Sequence, residues 1–259
     1  MDILLYVIAG AGVGFAVGLT GVGGGSLMTP ILLLFGFPAH IAVGTDLIYA
    51  AVTKGSGVHS HHRHRNVNWQ VVRRLASGSL PASIITILIL SRFFSDPAEY
   101  QGLLMSTLGA MLILTSIVLL FRSRLQRFQA TTTEGRRWHE HYQAPLTILA
   151  GVFLGICVTL SSVGAGAFGA AILMILYPRL SPIEIIGTDL AHAVPLTLVA
   201  GLGHWELGNI NFYLLGSLLL GSLPAIHLGT YLGRRLPAKV MQSALASILF
   251  LVGLKYVFF

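Results

Sequence analysis

Two aspartates interrupt otherwise apolar runs of this 259-residue chain, Asp46 and Asp189, and each stands in the same tetrapeptide, Gly-Thr-Asp-Leu. A carboxylate in a hydrocarbon setting is costly and as a rule faces a pathway or a partner. Here it can carry a proton, or it can bind the backbone of a nearby helix break and be structural. Thr45 and Thr188 precede the acids and offer hydroxyls to a substrate or to freed backbone groups. Lys54 follows Asp46 by two helical turns on nearly the same face, and His192 follows Asp189 by three residues. Lys54 either counters the acid, contacts an anion, or snorkels towards a membrane surface. His192 is either a proton partner or a hydrogen-bonded core histidine.

Glycines supply the second chemical signal. Residues 18–26 read GLTGVGGGS, and residues 161–167 read SSVGAGA, each between apolar runs. A glycine costs about 1 kcal/mol relative to alanine inside a helix, so these clusters break helices. Broken backbone at membrane depth is tolerated where it is buried or lines a polar cavity. Helices restarting at Gly25/Ser26 and at Gly166/Ala167 would aim unpaired N–H groups at such a cavity, which suits an anion. The candidate substrate residues are therefore Gly21, Gly23, Gly24, Gly25 and Ser26 in one cluster, Ser161, Ser162, Gly164 and Gly166 in the other, and the Thr-Asp pairs at 45–46 and 188–189. Gly10, Gly14 and Gly18, with Gly151 and Gly155, form small-xxx-small rows and are assigned to helix packing. No Gly-Lys-Ser/Thr follows either cluster, which excludes a phosphate loop.

The elements that hold these residues are membrane helices. The chain is 54% hydrophobic and 10% charged with a mean hydropathy of +0.79, against roughly 25% charged for a soluble domain. It reads as an all-α integral membrane protein of about 8–10 transmembrane or half-membrane helices. The segments flanking the glycine clusters, near 26–37 and 163–177, are short. An acid in "MDILLYV", where a secretory signal carries positive charge, makes the first segment a retained membrane helix. The lone Cys157 provides neither a disulfide framework nor a thiol metal site. The net charge of +7 resides in short loops between apolar segments, so it reports membrane orientation rather than nucleic-acid binding.

The chain is duplicated. An offset of 143 residues superimposes GTDL at 44 on GTDL at 187, NVNW at 66 on NINF at 209, and GSLPA at 78 on GSLPA at 221; the glycine clusters align at 141. The organisation expected is a first membrane repeat at 1–122, a cytoplasmic connector at 123–143 and a second repeat at 144–259. The positive-inside rule favours inverted repeats with both termini outside, because Arg63, Arg65, Arg73 and Arg74, then Arg122, Arg124, Arg127, Arg136 and Arg137, then Arg234, Arg235 and Lys239, all face the cytoplasm under that parity. Asn66, Asn68, Asn209 and Asn211 are expected to cap the helices that follow them. The histidines of HSHHRHRN at 59–66 invite a transition metal, but they alternate with arginines, and only His61 has a counterpart, His204. Neither a resident metal nor a cofactor is expected.

The segments GVGGGSLMTPILLLFGF, GTDL and HHRHRNVNWQVVRRLASGSLPAS, with weaker copies in the second half, resemble the TauE/SafE family of sulfite and organosulfonate exporters. The resemblance implies a bacterial or archaeal inner-membrane carrier of sulfite, thiosulfate or organosulfonates, coupled to protons and working by alternating access as the halves rock. Its partners would be the small anion, protons and the lipid bilayer. The several loop histidines depart from the family's commonest loop and leave a metal-linked transporter open at 59–64. A passive anion channel is another reading. An intramembrane enzyme using Asp46, Asp189, His192 and the histidine loop ranks last, because neither HExxH nor a DxxxD pair on one helix is present.

Overall fold

A computed structural model describes residues 3–20, 27–131, 137–233 and 238–258. Among the described residues the chain is helical throughout: α1 (Ile3–Thr20), α2 (Met28–Leu34), α3 (Ala39–Arg63), α4 (Trp69–Phe93), α5 (Pro97–Thr131), α6 (Arg137–Ser161), α7 (Ala167–Leu176), α8 (Pro182–Glu206), α9 (Phe212–Gly233) and α10 (Ala238–Phe258). Five helices contain a stretch long and apolar enough to cross a membrane: 69–93, 97–122, 142–161, 182–206 and 212–232. Outward faces such as Ile84, Ile85, Leu88 and Ile89 on α4, or Leu149 and Phe153 on α6, are exposed and apolar, as a lipid-facing surface requires. The protein is a multi-pass helical membrane protein. Most of the connector at 123–143 is helix, since α5 continues to Thr131 and α6 begins at Arg137.

The duplication governs the packing. α1 lies along α9 and α6 lies along α4, so each repeat lends its first helix to the other. Gly10, Gly14 and Gly18 rest on the backbone of Leu218, Ser222 and Ile226, while Gly151 and Gly155 rest on that of Leu75 and Ser79. A Cβ at any of these positions would have no space, which is the packing role assigned to these rows. The order of the contacts makes α1 parallel to α9 and α6 parallel to α4. The central pair, α3 and α8, runs antiparallel: Ile48 meets Gly201 and Leu190 meets Gly57.

The Gly-Thr of each GTDL meets the Asn-x-Asn loop of the opposite repeat. Gly44 lies against the Asn209 carbonyl and Gly187 against that of Asn66. Thr45 Oγ1 accepts from the Asn211 backbone N–H at 3.1 Å, and Thr188 Oγ1 accepts from that of Asn68 at 2.9 Å. These contacts map onto one another under the 143-residue offset. Asn68 and Asn211 cap α4 and α9, accepting from Val71 and Leu214 at 3.2 and 3.0 Å. Asn66 and Asn209 instead press their carbonyls under the glycines, and the Asn209 amide donates to the Tyr100 hydroxyl at 2.9 Å.

Candidate functional site

The second break follows from its residues. α6 ends at Ser161, whose hydroxyl donates to the Cys157 carbonyl at 2.6 Å and accepts from the Val163 N–H at 3.2 Å. Ser162 takes a left-handed conformation with φ 57°, and Gly164 and Gly166 have φ values of 124° and 144° that only glycine tolerates readily. α7 then begins at Ala167, with its first bonds running from Gly169 N–H to the Gly164 carbonyl and from Ala170 N–H to that of Gly166. Ser161, Ser162 and Val163 are buried, so this unwound backbone lies inside the protein. The first cluster, with Gly21, Gly23, Gly24, Gly25 and Ser26, lies outside the described residues.

Both aspartates come to this region by different means. Asp46 is fully buried, and its Oδ2 accepts from the Thr29 hydroxyl at 2.6 Å and the Thr29 backbone N–H at 3.2 Å. Thr29 is on α2, so this acid is tied to the helix that follows the first glycine cluster in sequence. Ser162 from the other repeat turns its hydroxyl towards Asp46 without completing a hydrogen bond. Asp189 is also buried, and its Oδ1, like that of Asp46, has no hydrogen-bond partner. That oxygen lies directly on Gly169, where a side chain would displace it.

Lys54 bridges the two repeats. It is 4% exposed, which rules out snorkelling to the surface, and its ammonium donates to the Ala165 carbonyl of the second break at 2.8 Å. Asp189 and Asp46 both act on it electrostatically, and Arg122 on α5 acts on Asp189 as well. A buried lysine from one repeat is thus bonded to the unwound backbone of the other, in the same region as two buried acids.

The remaining candidates take quieter positions. His192 is completely buried, with Nε2 2.8 Å from the Ser79 hydroxyl on α4. Its repeat counterpart Tyr49 lies against Ser222, the counterpart of Ser79. Thr45 and Thr188 place their hydroxyl oxygens on the opposing loops, as above, rather than in open space. In the histidine stretch, His61 lies under Gly187 and His62 packs edge-on against Trp69. Among the described residues no group of three or more His, Cys, Asp or Glu stands close enough together to hold a metal ion.

Three participants escape a reading by residue type: Thr29, Gly169 and the Ala165 carbonyl. A signal for the first two existed, because the 141-residue offset pairs Thr29 with Ala170 and Met28 with Gly169, and both pairs break the likeness of the repeats. A backbone carbonyl leaves no such trace.

Comparison with known proteins accords with this architecture. The family model described as Sulfite exporter TauE/SafE matches residues 6–256. A probable membrane transporter protein of Bacillus subtilis, YjnA, is 38% identical over 97% of this chain and 98% of its own length. A second from that organism, YdhB, is 27% identical over 95% of this chain and 96% of its own. A probable membrane transporter protein of Methanocaldococcus jannaschii is 26% identical over 96% and 93%. No solved structure matches the chain. With its unwound second break, its buried acids and a family match over almost its whole length, the chain belongs to the TauE/SafE family of membrane transporters.

Proposed function

We propose that the protein is a secondary carrier of small sulfur-containing anions, sulfite among them, in a bacterial or archaeal inner membrane. The observation that carries this reading is the convergence at the second break of Lys54 and Asp46 from one repeat with Ser162, Ala165 and Asp189 from the other. Inverted-repeat carriers bind near the midplane where discontinuous helices meet, and helix N-termini there suit anionic groups. An anion entering the site meets Lys54, and the carboxylates take up the proton that makes its entry electrically tolerable. The family's description supports sulfite as the substrate to test first.

The antiparallel crossing of α3 and α8, equivalent helices of the two repeats, supports the inverted arrangement and alternating access. The tight seating of α1 on α9 and of α6 on α4 binds the repeats together. The moving bodies are then these paired bundles against the α3–α8 core, not the first half of the sequence against the second. Cysteines introduced at Ser123 and at Ala238 should both be labelled from the cytoplasmic side alone; labelling of position 238 from outside would overturn the inversion.

Purified protein in liposomes loaded with unlabelled sulfite decides the function. Uptake of labelled sulfite by counterflow supports a carrier. A sulfite-dependent current without counterflow indicates a channel, and neither response removes sulfite transport from the reading.

A further inference from the structure

We propose that the two junctions between Gly-Thr and Asn-x-Asn are the gates of the carrier, one at each membrane face, and that this structure has both of them shut. This rests on the reading of the second break as the binding centre of a carrier. Asp46, Lys54, Ser162 and Asp189 are each no more than 4% exposed. Alternating access opens such a centre to one face at a time, so a contact on each side of it has to part. The junctions are the contacts so placed. One joins Gly44 and Thr45 of α3 to Asn209 and Asn211, immediately ahead of α9; the other joins Gly187 and Thr188 of α8 to Asn66 and Asn68, immediately ahead of α4. Since α1 is seated on α9 and α6 on α4, each junction is where one paired bundle meets the α3–α8 core. Each combines an amide-to-hydroxyl bond, at 3.1 and 2.9 Å, with a carbonyl pressed on glycine. Parting it breaks no intrahelical bond, because the loop supplies a backbone N–H and the core supplies a side-chain oxygen.

The register of the central helices puts the junctions on opposite sides of the centre. Ile48 meets Gly201 and Gly57 meets Leu190, which sets Asp46 and Asp189 at different depths, roughly 18 Å apart along the axes at a rise of about 1.5 Å per residue. Lys54 lies between these depths, and each acid stands two residues inward from the glycine of its own junction. In the inverted arrangement the junction at Asn66 and Asn68, flanked by Arg63, Arg65, Arg73 and Arg74, faces the cytoplasm, and that at Asn209 and Asn211 faces outward. The outer loop carries a further tie. The Asn209 amide donates to the Tyr100 hydroxyl on α5 at 2.9 Å and lies 3.0 Å from His204 Nδ1 on α8. Glycine suits positions 44 and 187 because a Cβ at either would strike the loop carbonyl and hold that junction apart.

One cysteine at the centre reads both gates. Ser162→Cys in a Cys157→Ala background, in right-side-out and inside-out membrane vesicles, reports the entry of a membrane-impermeant thiol reagent from one side at a time. Gly44→Ala should speed labelling from outside and Gly187→Ala from the cytoplasmic side, each leaving labelling from the other side unchanged or slower. Thr45→Val and Thr188→Val delete a bond and add no bulk, and should act on those same sides by roughly tenfold, the worth of one hydrogen bond in the population of the open state. They keep the test in force should an alanine variant fail to fold. Tyr100→Phe, which unties the outer loop, should act as Thr45→Val does. Faster labelling from one and the same side in both repeats' variants overturns the proposal, as do folded valine variants that label at the wild-type rate from either side. Rapid labelling of the Ser162→Cys protein from both sides without any junction change marks an open pore and also overturns it. Because the readout needs no transported anion, failure of sulfite counterflow together with opposite-sided labelling removes the substrate assignment and leaves the gates standing.

Discussion

The aspartate of the first repeat and that of the second occupy equivalent positions in sequence and different positions in chemistry. Asp46 receives two hydrogen bonds from Thr29 on α2 and is anchored. Each acid keeps one unpartnered oxygen, but that of Asp189 lies over the bare backbone of Gly169, and a lysine from the other repeat stands at its break. A duplication delivers two identical tetrapeptides, and the substitutions of Thr29 for Ala170 and of Met28 for Gly169 then divide their tasks. Structural anchoring falls to Asp46, and under the proposed function exchange of charge falls to Asp189.

The strongest way to break this comparison is to give the second repeat the bulk of the first. Gly169→Leu should displace the Asp189 carboxylate and abolish sulfite counterflow, whereas Met28→Leu, a nearly volume-conserving swap at the equivalent position, should cost less than about 1.5 kcal/mol and leave counterflow intact. Near-normal counterflow by Gly169→Leu would show that the placement of Asp189 is immaterial. A smaller effect separates the acids themselves. Thr29→Val should lower stability by about 1.5–3 kcal/mol through loss of a hydrogen bond to a charged group. Asp189→Asn should spare stability more than Asp46→Asn does, while removing the proton dependence of transport. Equal losses of stability from both Asn variants, measured by denaturant unfolding in detergent, would restore two equivalent structural acids.

Elsewhere the repeats should behave alike. Thr45→Val and Thr188→Val each strip the acceptor from a loop amide, and each should cost about 1–3 kcal/mol, with the two values agreeing and adding in the double variant. A difference beyond about 1 kcal/mol would mean that the exchange of loops is lopsided. The smallest effect belongs to the serines on α4 and α9. Ser79→Ala loses a bond to His192 and should cost about 0.5–1.5 kcal/mol, while Ser222→Ala, whose hydroxyl makes no bond, should be close to neutral.

The helices, the duplication and the second break were legible because each writes itself locally. Apolar length marks a membrane helix, a repeated register marks duplication, and clustered glycines mark broken backbone. The roles of Asn68 and Asn211 were legible for the same reason, since a cap acts within its own turn. What could not be read was contact between the repeats. Thr188 and Asn68 are 120 residues apart, and Lys54 and Ala165 are 111 apart. Nothing in either residue's neighbours records the other. Thr45 and Thr188 look like substrate hydroxyls when viewed alone and hold opposing loops when the fold is complete. Lys54 looks like a surface lysine two turns beyond an acid until the second break is placed over it.

The lending of α1 to α9 also sets the order in which the molecule is made. α1 leaves the ribosome well before α9, yet the helix whose backbone fills its glycine row begins at Phe212. At roughly 5–20 residues per second, synthesis leaves that face unmatched for about ten seconds or more. During this interval the glycines of α1 border lipid, other helices or an insertion chaperone. α1 therefore enters the membrane long before it finds its seat. A nascent chain stalled before α9 would accordingly hold α1 as a loose span, open to capture by any helix offering a similarly small-faced groove.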